Sequence, residues 1–442
     1  MSWFEDSFVY QIYPLGLTGA PYENAHDAQV VHRLPQLLGW IDHLKRLGVS
    51  CVLLNPVFES GSHGYDTWDY LSVDRRLGTN DDLCALVAAF HEAGIKVLLD
   101  AVLNHVGRDF WAFHDVREKR QGSAYASWFN INWDGDNQYG DGFSYECWEG
   151  VPSLVKLNHH DFGCNDMCVD AMRFWEREFD VDGLRLDVAY CLDLGFLGYV
   201  RRVADELSAK RGQKFLLLGE CMFGDYNRWM NDSACDTVTN YEAYKGLWSS
   251  MNAGNMHEVA YALERQSGSH PWDLYTGKHL LDFLDNHDVP RIATKLDDKR
   301  QLRPLWGLLF GMAGVPCVYY GSEWGIEGEQ LPGDHELRPA LDAPAWNDLT
   351  DWIALLAKAR AASAALRWGS YTQLAVQPQQ LVFERAVDGE RVIVAVNASA
   401  EPARLWFDAR APMGHDLLGN GTVSFDGGAT LLPMSCAFWR CS

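Results

Sequence analysis

Short apolar runs alternate with amphipathic stretches along most of this chain. Continuous apolar runs are typical of parallel strands that are buried on both faces. Between the first two runs, Leu34, Leu37, Ile41 and Leu44 fall on one face of a helix. Eight strands are predicted, at residues 8–14, 50–57, 95–102, 181–188, 214–220, 236–241, 280–286 and 315–321. Eight strands separated by helices predict an α/β fold, namely a (β/α)₈ barrel.

The alternation is interrupted once and then ends. Residues 107–163 are rich in Trp, Asn, Asp and Gly and show little periodicity, which predicts a subdomain inserted after strand three. From residue 369, apolar and polar residues alternate around turn signals, which is typical of antiparallel strands. We therefore predict a barrel at 1–106 and 164–368, an inserted subdomain at 107–163 and a C-terminal β-sandwich at 369–442. An open α/β sheet is the alternative, but no Gly-rich phosphate loop opens an early helix.

Composition narrows the range of partners. The net charge of −23 argues against binding to nucleic acid or an anionic membrane, and it fits a neutral substrate. The 11 cysteines are an odd number, and no pair has metal-ligand spacing, so we interpret them as reduced thiols. The sequence begins without a signal-peptide pattern and has no apolar run long enough to span a membrane. A cytoplasmic location is the expectation.

Polar residues collect where four of the predicted strands end. The segments are DAVLNHVG (100–107), GLRLDVAY (183–190), LLGECMF (217–223) and FLDNHDVPR (283–291). A single Asp at such a position is more often a helix N-cap or a salt-bridge partner. Active sites of (β/α)₈ barrels lie at the C-terminal ends of the strands, so four such ends together favour a catalytic site.

These four segments resemble, in order and spacing, the signature regions of the α-amylase family of glycoside hydrolases. HGYDTWDY (63–70) resembles the family's segment after strand two, while VPSLVKLN (151–158) and GDHELRPAL (333–341) resemble its neopullulanase, cyclomaltodextrinase and maltogenic amylase branch. The resemblance covers about residues 5–365. It implies a retaining α-glycosidase that acts on α-glucans or maltooligosaccharides. The run CMFGD after Glu220 departs from the usual family pattern, which indicates an unusual leaving-group side.

The resemblance assigns three catalytic carboxylates. A retaining glycosidase needs one carboxylate that attacks C1 and another that first protonates the leaving oxygen and then activates water. Asp187 matches the nucleophile, Glu220 the general acid/base, and Asp288 the carboxylate that grips sugar hydroxyls. Arg185 lies two residues before Asp187 on the same strand, so both side chains point to the same face and Arg185 is expected to keep Asp187 ionised.

Further residues match sugar contacts of the family. His105 and His287 match histidines that hydrogen-bond sugar hydroxyls, and Tyr65 matches an aromatic residue that stacks on the sugar. Their alternatives are core histidines and simple packing at the barrel mouth. Asp334 and Arg338 match a clamp at the non-reducing end, the alternative being a local i,i+4 salt bridge. Trp148 is a candidate wall of the cleft, or it packs within the insertion.

No cofactor is expected to be required. Asn104 matches a family calcium ligand, and the insertion supplies further oxygen donors in Asp134, Asp136 and Asp141, so calcium is a candidate ligand. The alternative is that Asn104 orients neighbouring polar side chains. Members of this branch have an extra N-terminal β domain, which supports dimerisation in some of them. In this chain, strand one is predicted there instead, so the oligomeric state stays open.

Three functions remain open at this point. The favoured function is hydrolysis of α-1,4-glucosidic bonds in maltooligosaccharides. The second is a transglycosylase or isomerase of the same family that acts on sucrose, trehalose or maltose through the same glycosyl-enzyme. The third, a non-catalytic carbohydrate-binding relative, would not need Asp187, Glu220 and Asp288, which are all present.

Overall fold

The computed structural model describes residues 3–442 and contains the predicted barrel. Its strands are β1 Val9–Ile12, β2 Cys51–Leu54, β3 Lys96–Ala101, β4 Gly183–Leu186, β5 Leu216–Gly219, β6 Thr237–Val238, β7 Leu281–Phe283 and β8 Val315–Tyr319. They form one parallel sheet in the order β6-β5-β4-β3-β2-β1-β8-β7, and a bridge from Thr239 to Leu281 closes it. The predicted (β/α)₈ fold is confirmed, and the open sheet is excluded.

Helices surround the barrel and separate its strands. They are α1 Pro14–Leu17, α2 Ile41–Leu47, α3 Asn80–Glu92, α4 Trp111–Lys119, α5 Phe162–Phe179, α6 Leu194–Arg211, α7 Tyr241–Asn252, α8 Met256–Ser267, α9 Ile292–Lys295, α10 Leu302–Gly311, α11 Asp348–Ala361 and α12 Ala364–Trp368. The helical pattern from Leu34 begins as a 3₁₀ turn, Leu34–Trp40, before α2. Pro35 and Gly39 are poor residues for the interior of an α-helix, which accounts for the irregular start. No helix within residues 3–442 is long and apolar enough to cross a membrane.

Alternate residues of each barrel strand point inward. The interior contains Leu53 of β2, Leu98 of β3, Leu218 of β5 and Phe283 of β7, all of which are buried in one cluster. The intervening residues face the helices and join the larger outer core. This two-residue period fixes which side chains reach the barrel axis beyond each strand end.

The segment between β3 and α5 contains short paired strands. His105–Gly107 pairs with Leu154–Lys156, and Ile131–Asn132 pairs with Ser144–Tyr145, both antiparallel. A further hairpin, Phe58–Ser60 with Thr67–Val73, follows β2. The ladder of His105–Gly107 with Leu154–Lys156 joins the two ends of the polar, Trp-rich insertion next to the C-terminal end of β3.

The C-terminal region is antiparallel, as predicted. Its strands are β9 Ser370–Gln377, β10 Gln380–Val387, β11 Glu390–Asn397, β12 Ala403–Trp406, β13 Met413–Asp416, β14 Thr422–Ser424, β15 Gly428–Leu431 and β16 Ser435–Cys441. Six form a sheet in the order β9-β10-β11-β16-β13-β14, and β12 pairs with β15. Buried Arg385 donates to the carbonyl oxygen of Gly311, at the C-terminal end of α10, at 3.1 Å. This bond joins the sheet to the barrel and satisfies a carbonyl that has no partner within its helix.

Candidate active site

The polar residues of the site continue the inward-pointing rows of the barrel strands. Asp100 follows Leu98, Asp187 follows Arg185, and Glu220 follows Leu218, each two residues further along its strand. All four polar side chains are buried. Because β3, β4 and β5 are neighbours in the sheet, their carboxyl ends bring these groups together.

Arg185 is the centre of this group. Its Nη1 lies 2.8 Å from Oδ1 of Asp187 and 2.8 Å from both carboxylate oxygens of Asp100. Its Nη2 lies 2.6 Å from Oε1 of Glu220. One guanidinium thus contacts three buried carboxylates on three adjacent strands. Such charge-assisted contacts fix the positions of Asp187 and Glu220 relative to each other.

Arg185 does not act on Asp187 alone, because its charge is shared with two other carboxylates. Burial raises the pKa of Asp187, Arg185 lowers it, and the charges of Glu220 and Asp100 raise it again. Burial also raises the pKa of Glu220, against the effect of Arg185. Since one cation serves three acids, the pair Asp187 and Glu220 retains a proton to a higher pH than isolated carboxyls do.

The second oxygen of Glu220 is held by the backbone next to Asp187. The N–H of Val188 donates to Oε2 of Glu220 at 2.9 Å. Val188 has φ 38° and ψ 47°, a left-handed conformation that is costly for a β-branched residue. The hydroxyl of Tyr241 lies 3.4 Å from Oε1. The carboxyl of Glu220 is thereby oriented from both sides.

Asp288 lies at the end of the next polar segment and is 39% exposed. Its Oδ1 accepts from Nη2 of Arg338 at 3.0 Å, and its Oδ2 lies 3.0 Å from Nε2 of His287. Partial burial raises the pKa of Asp288, but His287, Arg338 and Arg185 outweigh burial and hold that pKa well below its ordinary value. Asp288 is therefore a stable anion.

His287 does not line the open cavity. Its imidazole is buried and nearly parallel to the rings of Tyr13 and Tyr65, whose centroids lie 6.0 and 5.6 Å away. Nδ1 is 3.0 Å from Nε2 of Gln11, and Tyr65 contacts Nε2 through its hydroxyl. Both ring nitrogens of His287, which were expected to bind a sugar hydroxyl, thus contact protein groups. His287 supports Asp288 and Tyr65 through its Nε2.

His105 faces the cavity. It is buried, its Nε2 has no hydrogen-bond partner within residues 3–442, and that atom lies 4.0 Å from Oδ2 of Asp187. Burial lowers the pKa of His105 to about 3, so its ring is neutral. Trp148 lies beside it, with ring centroids 5.8 Å apart. An unsatisfied buried polar atom beside a carboxylate is suited to a hydrogen bond with a ligand.

These groups surround one cavity of about 440 Å³. Asp187, Glu220, His105, Tyr65 and Trp148 line it, together with Asp288, Asp334 and Arg338. Arg338 pairs with Asp334 at 3.2 Å, so the local i,i+4 salt bridge is present and both partners also face the cavity. Of the ten sequence-predicted catalytic and substrate residues, Arg185 and His287 lie behind the cavity wall instead of in it.

The oxygen donors named for calcium are not gathered around Asn104. Nδ2 of Asn104 contacts His105, and its Oδ1 has no hydrogen-bond partner within residues 3–442. Asp141 pairs with Arg108 at 2.9 Å, while Asp134 and Asp136 are exposed. Residues 3–442 also contain no group of three or more His, Cys, Asp or Glu side chains arranged to hold a metal ion. Calcium binding at Asn104 therefore stays a prediction.

Several residues of the site were not predicted from the sequence. Asp100, Gln11, Asn55, Val188 and Tyr241 all belong to its hydrogen-bond network. Asn55 joins Gln11, Asp100 and Tyr65 at 2.9–3.0 Å. Asp100 lies near the end of β3 and Asn55 directly follows β2, both at inward positions, and this is a signal that the sequence offered. The role of the Val188 N–H depends on a backbone conformation that side-chain patterns do not reveal.

Comparison with known proteins agrees with this geometry. The sequence model described as "Alpha amylase, catalytic domain" matches residues 34–364. The chain belongs to the alpha-amylase family. It is therefore a glycoside hydrolase by family, and the resemblance inferred from its motifs is confirmed.

Among its relatives is a cyclomaltodextrinase from a Bacillus species, 30% identical over 421 residues, which cover 90% of this chain and 73% of the relative. An intracellular maltogenic amylase from Bacillus subtilis is 31% identical over 304 residues, covering 66% of this chain and 48% of that protein. A solved structure of cyclic alpha-maltosyl-(1→6)-maltose hydrolase from Arthrobacter globiformis superposes with a TM-score of 0.82, 28% identity and 99% coverage of both chains.

Proposed function

We propose that the protein hydrolyses α-1,4-glucosidic bonds of maltooligosaccharides by double displacement, with Asp187 as nucleophile, Glu220 as general acid/base and Asp288 as the carboxylate that binds sugar hydroxyls. The observation that carries this proposal is the contact of one guanidinium, Arg185, with both Asp187 and Glu220 at the wall of one cavity. This shared contact holds two carboxylates close together, in support of a retaining mechanism, which needs two carboxyl groups about 5–5.5 Å apart.

The first half of the cycle breaks the glycosidic bond. Glu220, whose pKa is raised by burial, carries a proton and donates it to the glycosidic oxygen as the C1–O bond breaks. Asp187 attacks C1 from the opposite face and forms a glycosyl ester. Asp288, an anion held by Arg338 and His287, binds hydroxyls of the same sugar and favours its distortion towards the positively charged transition state.

The second half releases the sugar. Glu220, now a carboxylate, takes a proton from water, and the water oxygen attacks C1 as the ester bond to Asp187 breaks. Two inversions restore the α configuration. The free Nε2 of neutral His105 and the ring of Tyr65 are placed to contact the sugar bound at this point. Trp148 forms a wall of the same space.

The substrate class follows from size and charge. A cavity of about 440 Å³ accommodates only a few sugar rings, and its residues contain no cluster of cations that would select an anionic ligand. One similar enzyme is named as a maltogenic amylase and another as a hydrolase of a cyclic maltosyl-maltose, in agreement with this class. Asp334 and Arg338 then contact the substrate beyond the sugar whose glycosidic bond is cleaved. Both halves of the cycle run on carboxylates and water, so neither step calls for a metal or organic cofactor.

We place the protein in the cytoplasm. All cysteines that the structure describes are free thiols, and seven of the eleven are buried, as in a reducing compartment. The similar maltogenic amylase of Bacillus subtilis is named as intracellular.

Product analysis tests the proposal. The protein is incubated with maltotriose, soluble starch, pullulan, cyclodextrin and sucrose, and products are separated by chromatography while proton NMR follows the first-formed anomer. We expect maltotriose to be cleaved with the highest kcat/KM and to release the α anomer first. Activity on sucrose alone, or early accumulation of the β anomer, would contradict the proposal.

A further inference from the structure

Arg291 is a fully buried cation that the proposed reaction does not use. Its Nη1 donates to the carbonyl oxygen of Tyr320 at 2.7 Å and to Oγ of Ser322 at 3.0 Å, and its Nη2 donates to the carbonyl oxygen of Leu337 at 2.8 Å. None of these three acceptors is a carboxylate. A guanidinium that is taken out of water is costly unless its N–H groups are satisfied in a fixed geometry, so this set of acceptors defines where Arg291 lies.

Arg291 ends the segment that presents Asp288. This segment, residues 285–291, follows β7 and begins at Asp285, whose carboxylate oxygens both lie 2.8 Å from Oγ of Ser322. The same hydroxyl accepts from Arg291. Ser322, in the turn after β8, therefore joins the two ends of the segment. Because Asp288 lies between these ends, Arg291 limits where its carboxylate can be.

Arg291 also holds the loop that carries the clamp residues. This clamp loop, residues 328–338, ends at Arg338, and Leu337 directly precedes that residue. The backbone N–H of Arg291 donates to the carbonyl oxygen of Gly328 at 3.0 Å, and its Nη2 donates to that of Leu337. The first residue of the clamp loop and the last but one are thus fixed to the same arginine.

The two segments meet at the substrate site. Nη2 of Arg338 lies 3.0 Å from Oδ1 of Asp288, and Arg291 joins the backbones that carry both side chains. We propose that Arg291 is a positioning residue that sets the spacing of Asp288 and Arg338, and thereby how tightly the site holds the end of a short α-glucan chain. This inference rests on the proposed function and deepens it, since it adds a determinant of the preference for short chains. Arg291 lies outside the cavity wall and acts through the two loops, because small displacements of binding groups are enough to weaken a site.

Calorimetry of maltotriose binding tests this role in an Asp187→Ala background, which removes turnover. Arg291→Lys keeps the cation but replaces the planar fork with one ammonium, which cannot reach the acceptors on both loops at once. We expect the Kd for maltotriose to rise about three- to tenfold. A merely structural role would lower the melting temperature without this change in Kd.

Arg385→Lys is the matched control. Arg385 is also fully buried, and it donates to the carbonyl oxygens of Gly311 and Gly369 at 3.1 and 2.8 Å. These contacts join the C-terminal sheet to the barrel and involve no residue of the cavity wall. Arg385→Lys should therefore lower the melting temperature but leave the Kd for maltotriose unchanged. An equal rise in Kd in both Lys variants would overturn the positioning role.

A double-mutant cycle shows whether Arg291 acts through the clamp. Arg291→Lys and Asp334→Ala should together raise the Kd by less than the product of their separate effects, because both disturb contacts of Arg338. The effects of Arg385→Lys and Asp334→Ala should simply multiply. A product of independent effects for Arg291→Lys and Asp334→Ala would contradict the proposal.

Tyr319→Phe keeps the test decisive if Arg291→Lys does not fold. It removes the hydroxyl that donates to the carbonyl oxygen of Leu337 at 3.0 Å and leaves the buried cation intact. The Kd for maltotriose should rise by a smaller factor than in Arg291→Lys, and an unchanged Kd would overturn the positioning role. A hydrolysis assay of the wild type separates the two failures. If the Kd depends on Arg291 as expected but maltotriose is not hydrolysed, the inference stands and the proposed function fails; if maltotriose is hydrolysed and neither variant alters the Kd, only the inference fails.

Discussion

The backbone N–H of Val188 donates a 2.9 Å hydrogen bond to Oε2 of Glu220. The residue that follows the proposed nucleophile thus orients the proposed acid/base. This bond requires the left-handed conformation of Val188, at φ 38°. Backbone strain at a site of chemistry is maintained only when the surrounding contacts outweigh it, and here Arg185 and the barrel strands supply them.

Val188→Gly tests this arrangement. Glycine adopts the left-handed conformation without strain but also populates others, so the N–H is held on Glu220 for a smaller fraction of the time, and that hydrogen bond lowers the pKa of Glu220. We expect kcat to fall and the basic limb of the kcat/KM profile to move to higher pH, because the acid stays protonated longer. Met434→Gly is the control, since Met434 also has positive φ (47°) but lies in the C-terminal region. A profile that shifts equally in both variants would contradict this role.

Asp288→Asn should move the basic limb of the kcat/KM profile to lower pH. The negative charge of Asp288 raises the pKa of Glu220, and its removal also takes away one of the two carboxylates that pair with the Arg338 cation. Residual activity should therefore be lost at a lower pH than in the wild type. The pH profile of this variant, measured with maltotriose, checks the prediction. A limb that stays in place would show that Asp288 does not influence the acid.

Asp334 and Arg338 should have separable effects. Arg338 contacts Asp288 at 3.0 Å and also pairs with Asp334. The side chain of Asp334 is more exposed than that of Arg338. Asp334→Ala is expected to raise KM for maltotriose with little change in kcat. Arg338→Ala should raise KM and also lower kcat, since a charge-assisted contact contributes about 1.5–3 kcal/mol. Both effects should be larger for maltotriose than for soluble starch. Equal effects on the two substrates would indicate an open cleft.

A buried carboxyl outside the site should make stability depend on pH. Burial raises the pKa of Asp282 in β7 from 3.8 to about 8, and its Oδ2 has no hydrogen-bond partner within residues 3–442. The folded state therefore binds a proton that the unfolded state has released, so this contribution to stability is complete below pH 3.8 and is lost as the pH rises to about 8. The loss is on the order of 1 kcal/mol per pH unit.

Denaturant unfolding at several pH values measures this effect. Asp282→Asn should show a smaller fall in the free energy of unfolding between pH 5 and 8 than the wild type, whereas exposed Asp134→Asn should match the wild type. Parallel slopes for the wild type and Asp282→Asn would mean that Asp282 is ionised in the folded protein.

The fold was largely predictable because most residues of the barrel strands are apolar. β6 was the least accurate: the predicted 236–241 is reduced to Thr237–Val238. Asn240 ends the extended segment because its side chain caps α7 by accepting from the N–H of Ala243 at 3.1 Å. A capped helix thus begins where the apolar pattern predicted more strand, and that pattern alone does not distinguish a helix start from a longer strand. The domain bounds inferred from composition stay predictions.

The site was predictable where chemistry resides in motif side chains. Asp187, Glu220, Asp288 and His105 lie around one cavity, as their strand-end positions indicated. The burial of His287 and the sharing of Arg185 among three carboxylates depend on packing between strands that are distant in sequence. No single segment of the sequence predicts such packing.

The central claim is that Asp187 and Glu220 play different roles in one double displacement. The most direct measurement is the anomeric configuration of the glucosyl azide that variants form from α-glucosyl fluoride and azide, read by proton NMR. Without the Asp187 carboxylate, azide attacks C1 from the vacated side, so Asp187→Ala should give the β-azide. With Asp187 present, azide attacks the glycosyl ester, so Glu220→Ala should give the α-azide. The same anomer from both variants, or turnover of either within about tenfold of the wild type without azide, would contradict the assignment.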